Sequence, residues 1–197
     1  AVVLGAAGFA RDHQIDGVVG FGGGSSMDVA KLIAVLASGR EDIAELLESI
    51  YGIDLVFGDR LPLIQVPTTA GTGSEVTPIS IVTTGATQKT GIVSKRLLPD
   101  FAILDAQLTV GLPSHVSAAT GVDAMVHAIE AFTSKAKKII YSDMLAKQAL
   151  LLLSANIRQV CTDGSDLNAR QWMLLGSMLA GQAFANAPVA AVHALAY

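Results

Sequence analysis

The sequence predicts an α/β domain followed by an all-α domain. In the first half, short apolar stretches of strand character alternate with helical stretches and glycine-rich turns, which is typical of an α/β sheet. After residue 113 the strand-like stretches cease, and apolar residues recur at spacings of three and four, which indicates helices. We therefore expect a boundary near residues 109–113, with one domain over 1–110 and the other over 111–197.

The elements of the first half follow from the apolar runs and the turn residues that end them. A strand is predicted where a short run ends at glycine, proline or aspartate, and a helix where the apolar spacing is helical. The predicted elements are a helix over 1–14, a strand over 17–21, a helix from Ser25 to about 37, a strand over 61–66, hairpin strands over 76–83 and 90–94, and a last strand over 101–104.

The second half contains four predicted helices and no clear strand. Ser114 is of a residue type that caps helix N-termini, so we place a helix from it to about residue 132. Further helices are predicted over 142–160, 166–185 and 189–197. The run over 172–196 carries no charged residue, but its polar residues and Pro188 favour a buried helix pair over a membrane span.

Composition limits the partners of this protein. The chain has 197 residues, 51% of them hydrophobic and 15% charged, which suits one sizeable core or two small ones and excludes disorder. A net charge of −4 without a basic run argues against nucleic acid and anionic membranes as partners. The single cysteine, Cys161, fits a reducing compartment, and no signal peptide is predicted. We therefore expect a cytoplasmic protein.

Residues 18–31 have the order strand, glycine turn, helix start. The glycines Gly22, Gly23 and Gly24 let backbone amides approach a ligand closely, and a helix N-terminus adds partial positive charge, which suits a phosphate. The pattern is not the Rossmann fingerprint, because Met27 stands where glycine or alanine is required. An ordinary tight turn between strand and helix would give the same pattern.

A second loop, over residues 67–77, concentrates threonines and glycines directly after a predicted strand. In an open α/β sheet, ligands lie beyond the carboxyl ends of the strands, where this loop and the glycine turn are both expected. Either loop alone would most often be a simple connection. The two together predict one crevice that holds a dinucleotide.

Asp123 and His127 lie four residues apart on a predicted helix. Such a pair shares one helix face, with Cβ atoms about 5–6 Å apart, and can bind one metal ion. A carboxylate with an imidazole suits Fe(II) or Zn(II) better than Ca(II) or Mg(II). A capping aspartate and a half-buried histidine would look the same. His193 lies on the last apolar helix, where a lone histidine is more often a core residue.

Three motifs occur in order: Gly-Gly-Gly-Ser-x-x-Asp-x-Ala-Lys from Gly22, Pro-Thr-Thr-Ala-Gly-Thr-Gly-Ser-Glu-Val-Thr from Pro67, and Thr-Gly-x-Asp-Ala-x-x-His-Ala-Ile-Glu-Ala from Thr120. Together they resemble the iron-containing (group III) alcohol dehydrogenase family, over essentially the whole chain up to His193. The resemblance implies an N-terminal dinucleotide-binding domain and a C-terminal helical metal-binding domain. It also implies a fragment lacking both ends, because a fourth metal ligand and the residue that selects NAD over NADP would lie outside it.

The resemblance implies a role for individual residues. The implied metal ligands are Asp123, His127 and His193. The implied cofactor residues are Gly23, Gly24 and Ser25 at the pyrophosphate, Thr68, Thr69, Thr72 and Thr77 at the nicotinamide and its ribose, and Lys89. Tyr197 stands near the substrate, where many members carry a second histidine, and is a hint of hydroxyacid substrates.

The implied activity is a metal-dependent, NAD(P)-linked oxidoreductase that interconverts a primary alcohol or hydroxyacid with its aldehyde or semialdehyde. The metal, Fe(II) or Zn(II), would serve as a Lewis acid and the nicotinamide as hydride carrier. We expect a small-molecule alcohol or aldehyde as substrate and a homo-oligomer. Two alternatives are a metal- and NAD-dependent lyase similar to dehydroquinate synthase, and a catalytically incomplete nucleotide-binding fragment.

Overall fold

The computed structural model describes residues 2–38, 59–84, 88–135 and 137–187. The chain forms two compact units: the first comprises Ala1–Val66 and Pro78–Ile103, and the second comprises Pro67–Thr77 and Leu104–Tyr197. The threonine- and glycine-rich loop over 67–77 thus belongs with the helices of the second unit. The domain division between residues 110 and 111 stays a prediction.

The first unit combines helices with two small sheets. Its elements are α1 (Val2–Asp12), β1 (Val18–Gly22), α2 (Gly24–Ala37), β2 (Leu63–Pro67), β3 (Ile79–Thr84), β4 (Gln88–Val93) and β5 (Phe101–Ala102). One sheet has the order β1-β2-β5, with β2 and β5 parallel, and β3 pairs with β4 as an antiparallel hairpin. The predicted α/β character is therefore confirmed. The predicted strand start at residue 76 is wrong, because Ser74–Val76 forms a 3₁₀ turn.

Gly20 lets α2 lie close to the sheet of the first unit. A Cβ atom on Gly20 would lie 2.0 Å from Gln65 Oε1 and 2.8 Å from the Cβ atom of Ala30. Gln65 is fully buried on β2, and its Nε2 donates to the Met27 carbonyl of α2 at 3.0 Å. The missing side chain at residue 20 therefore makes room for the glutamine that links β2 to α2.

The second unit contains three described helices, α3 (Ser114–Thr133), α4 (Ile140–Thr162) and α5 (Leu167–Asn186). The helices approach closely because their contact surfaces are rich in fully buried small residues: Ala124, Ala128, Ala131, Ala146, Ala149, Ala180 and Ala183. The all-α prediction is confirmed over these residues. The predicted helix over 189–197 lies outside the described residues. None of the helices described is both long and apolar enough to cross a membrane.

The helix α3 begins at Ser114 as predicted, but its capping differs from the sequence prediction. Pro113 occupies the N-cap position, and no side chain caps the helix there. Ser114, predicted as the cap, is instead the first helical residue, and its hydroxyl donates to the Cys161 carbonyl of α4 at 2.9 Å. The N-cap of α5 is Asp166, a residue type that often caps helices. Its side chain accepts a hydrogen bond from the Ala169 amide at 2.9 Å.

Arg170 is a buried cation that links α5 to its surroundings. Its Nη1 donates to Ser117 Oγ at 2.7 Å, its Nε to the Gly164 carbonyl at 3.0 Å, and its Nη2 to the Leu112 carbonyl at 3.4 Å. Burial lowers the pKa of this guanidinium by disfavouring its charged form. No feature of the sequence distinguished this arginine from the others.

We predict that Arg170→Leu lowers the free energy of unfolding by at least about 2 kcal/mol, because each buried acceptor left without its donor costs roughly 1–3 kcal/mol. Urea denaturation followed by circular dichroism measures this loss. Arg158→Leu is the control, since Arg158 is exposed on α4 and such surface changes cost about 0.5 kcal/mol or less. Equal losses in the two variants would contradict the role given to Arg170.

Candidate functional site

The glycine turn of the first unit presents an uncapped helix N-terminus. Gly22 has a φ of 139°, a backbone conformation that favours glycine, and Gly23 is the N-cap residue of α2. Glycine has no side chain that could cap the first turn of the 14-residue helix. Ser25 is exposed, and Gly23 and Gly24 are half-buried. The first amides of α2 can therefore donate to an anion.

The Asp-x-x-Lys part of the same motif serves the fold. Lys31 is fully buried on α2, where its Nζ donates to the Ile79 carbonyl at 2.6 Å and lies 3.5 Å from Asp28 Oδ1. Asp28 Oδ2 accepts from the Ile81 amide at 2.9 Å, and the Asp28 carbonyl accepts from Ser80 Oγ at 2.9 Å. These two residues therefore connect α2 to β3, a role the sequence analysis did not assign.

The loop over 67–77 has one buried side and one accessible side. Thr68, Thr69 and Thr72 are half-buried, so part of each side chain remains accessible. Gly71 and Gly73 are buried, and the Ser74 amide donates to Thr72 Oγ1 at 3.3 Å. Three of the threonines proposed for the nicotinamide can therefore meet a ligand.

Thr77 differs from the other threonines of the loop because it is buried, with 3% of its surface exposed. Lys89 lies on β4 in the first unit and is exposed. The glycine turn and Lys89 thus belong to the first unit, and the threonine loop belongs to the second. A single crevice formed by the two loops stays a prediction.

Asp123 and His127 both lie on α3, where Asp123 is half-buried and His127 is buried. The imidazole of His127 stacks on the ring of Phe184 from α5, with centroids 5.2 Å apart and an interplanar angle of 22°. This contact fixes the plane of the imidazole, and no sequence pattern predicted it. A carboxylate and an imidazole one helical turn apart fit a transition metal such as Fe(II) or Zn(II).

His193 and Tyr197 lie outside the described residues. Within residues 2–38, 59–84, 88–135 and 137–187, no group of three or more His, Cys, Asp or Glu side chains could hold a metal ion. The described part of the chain therefore brings together two of the three predicted ligands. The third ligand stays a prediction.

Two close backbone contacts place the threonine loop on the helices of the second unit. A Cβ atom on Gly71 would lie 2.7 Å from the Cβ atom of Thr120 on α3. A Cβ atom on Gly73 would lie 2.6 Å from the Cα atom of Gly181 on α5. No role was predicted for these residues from the sequence. One sequence signal was available. A glycine inside a predicted helix costs about 1 kcal/mol relative to alanine, so the glycine at residue 181 indicates a close packing contact.

Comparison with known proteins places the chain in a family. A family model described as iron-containing alcohol dehydrogenase matches residues 1–106, and one described as the C-terminal part of the Fe-containing alcohol dehydrogenase family matches residues 117–197. The chain is 49% identical over 192 residues to long-chain-alcohol dehydrogenase 1 of Geobacillus thermodenitrificans (strain NG80-2), covering 98% of the chain and 48% of that relative.

Solved structures of related enzymes are also similar to this chain. A crystal structure of 1,3-propanediol oxidoreductase superposes with a TM-score of 0.91 at 40% identity, over 98% of this chain and 50% of that one. The sulfoacetaldehyde reductase from Bifidobacterium kashiwanohense in complex with NAD+ has a TM-score of 0.88 at 35% identity, over 98% and 50% of the two chains. The chain spans about half the length of the curated relatives it matches. It belongs to the iron-containing alcohol dehydrogenase family.

Proposed function

We propose that the protein, at its full encoded length, is a metal-dependent, NAD(P)-linked oxidoreductase that interconverts a primary alcohol or hydroxyacid with its aldehyde or semialdehyde. One observation carries the proposal: the loop with accessible threonines lies against the helix that bears Asp123 and His127. Gly71 of the loop contacts Thr120 of α3, and both residues belong to the same compact unit. A cofactor held by the threonines would therefore lie close to a metal held by the aspartate and histidine.

We propose Asp123, His127 and His193 as metal ligands. The donor set of one carboxylate and imidazoles fits Fe(II), which the family description also favours, and fits Zn(II) as well. When bound, the metal would supply a Lewis acid at the oxygen of the alcohol or aldehyde. The task of the chain is to hold the donors in place, and the Phe184 ring contributes by orienting His127.

The proposed cofactor is NAD or NADP. The amides of the N-cap residue Gly23 and of Gly24 and Ser25 in the first turn of α2 are suited to the negatively charged pyrophosphate. Thr68, Thr69 and Thr72 offer accessible hydroxyls to the nicotinamide and its ribose, with Thr77 and Lys89 as further contacts that the family resemblance implies. The NAD+ complex of the related sulfoacetaldehyde reductase supports NAD.

The substrate is proposed by class only. Relatives of this chain are named for long-chain alcohols, 1,3-propanediol and sulfoacetaldehyde, which share a primary alcohol or an aldehyde group. Tyr197 is proposed to lie near this substrate. A cytoplasmic location is supported by the single cysteine, and a homo-oligomer is proposed from the family resemblance.

The test is turnover by the protein at its full encoded length, loaded with Fe(II) without oxygen or with Zn(II). We expect primary alcohols to reduce NAD or NADP only in the metal-loaded protein, and aldehydes to drive the reverse reaction. Absorbance of the reduced nicotinamide measures both directions. A metal-loaded, folded protein that binds NAD and NADP but oxidises none of a series of primary alcohols and hydroxyacids would overturn the proposal.

A further inference from the structure

The contact between the threonine loop and α5 is made by two glycine backbones. A Cβ atom on Gly73 would lie 2.6 Å from Gly181 Cα, and a Cβ atom on Gly181 would lie 2.8 Å from Gly73 Cα and 2.9 Å from the Gly73 carbonyl oxygen. Backbone atoms cannot rotate away as the end of a long side chain can. The loop and the helix therefore touch at a distance that only a pair of glycines permits, and Gly73 also has a φ of 62°.

The same loop is held at a second point, two residues away. There Gly71 lies against Thr120 of α3, with a Cβ position 2.7 Å from the threonine Cβ and 3.0 Å from its carbonyl oxygen. The loop is thus fixed on both α3 and α5. Of its accessible threonines, Thr72 lies between these two glycines in the chain, and Thr69 lies two residues before Gly71.

One contact lies one helical turn from a proposed metal ligand, and the other lies one turn from the ring that stacks on a proposed ligand. Thr120 is three residues before Asp123 on α3, and Gly181 is three residues before Phe184, the residue that stacks on His127. Residues three apart on a helix share one face. A change in the spacing at either contact would therefore move the threonine loop relative to the Asp123–His127 pair.

We infer that Gly181 is a positioning residue: its missing side chain sets the distance between the cofactor loop and the metal-binding face of α3. The inference rests on the proposed function, because it takes the threonines to line the nicotinamide. The rate of hydride transfer between the nicotinamide and the reacting carbon is sensitive to this distance, since a misplacement of about 1 Å can cost roughly 100-fold in rate.

The test is Gly181→Ala in the protein at its full encoded length. Alanine is the better helix former, so the helix itself is not weakened. The added methyl group must push the loop away from α5. We expect kcat to fall about 10- to 100-fold, with metal content unchanged and the dissociation constant for the cofactor changed much less than kcat. The isotope effect with an alcohol deuterated at the reacting carbon should rise, because the transfer step becomes slower than product release.

Gly176→Ala is the matched control. It adds the same methyl group to the same helix, where the nearest atoms belong to Leu153 and Leu152 of α4, with Leu153 Cγ at 2.8 Å. It should cost stability while leaving the isotope effect and kcat at the wild-type values. If kcat instead falls equally in both variants, or is unchanged in Gly181→Ala, the positioning role is wrong.

A second variant covers a failure of Gly181→Ala to fold. Gly71→Ala crowds the other contact of the loop and should also lower kcat and raise the isotope effect with metal retained; wild-type values in this variant would overturn the inference. Failure of the positioning role can be distinguished from failure of the proposed function. An inactive wild-type protein would contradict the function itself, whereas an active wild-type with an unaffected Gly181→Ala variant would contradict only the positioning role.

Discussion

Asp123→Asn and His127→Ala will each lose bound iron or zinc while the helices of the second unit persist. His127→Ala removes one direct metal ligand of the proposed site, and Asp123→Asn replaces its charged carboxylate by a neutral and weaker amide oxygen. Loss of residues that merely orient a ligand costs about 10- to 100-fold in metal affinity, so loss of a ligand should cost at least about 100-fold. Metal content by mass spectrometry, after dialysis against a weak chelator, measures the effect, and alcohol oxidation should fall in proportion.

His115→Ala is the control for this experiment. His115 lies on the same helix as His127 but is exposed in the first turn of α3, so its loss should leave the metal content unchanged. Circular dichroism must show a helical protein in all three variants, because His127 is buried and its truncation leaves a cavity. Metal at wild-type stoichiometry in both Asp123→Asn and His127→Ala would show that the pair is only structural.

The parts of the fold that depend on local signals could be predicted from the sequence. Gly22–Gly24 mark the turn before α2, and the alternating pattern around residues 79–93 marks the hairpin, because both signals are contained in a few neighbouring residues. The cap of α3, by contrast, was misassigned because this local signal was taken alone. Ser114 is a good capping residue in isolation, but its hydroxyl donates to Cys161, a residue far away in sequence.

The contacts that shape the candidate site could not be found in this way. The Gly73–Gly181 approach and the His127–Phe184 stack each join segments that are distant in sequence, and a single sequence carries no record of such pairs. The role of the buried Lys31 could not be predicted for the same reason. Its Nζ donates to the Ile79 carbonyl of β3, which lies 48 positions away in the chain.

The second large effect is expected at the glycine turn: Gly24→Val will weaken NAD(P)(H) binding about 10- to 100-fold, because one charge-assisted hydrogen bond to the pyrophosphate is lost, at roughly 1.5–3 kcal/mol. Gly24 is the first residue of α2, so a branched side chain there lies beside the amides that should meet the phosphates. Fluorescence titration with the reduced cofactor measures the change, and metal content should stay at the wild-type value.

Gly8→Val separates this effect from the general effect of replacing a helical glycine by valine. Gly8 lies in α1, and a Cβ atom there meets no other atom within 4 Å, so the variant makes the same substitution without crowding a neighbour. Its cofactor affinity should equal that of the wild type. If Gly24→Val folds and binds the cofactor as tightly as Gly8→Val, the glycine turn only connects β1 to α2, and the pyrophosphate must be bound elsewhere. If affinity falls only in Gly24→Val while metal content is retained, the cofactor site and the metal site depend on separate residues, as the proposed function requires.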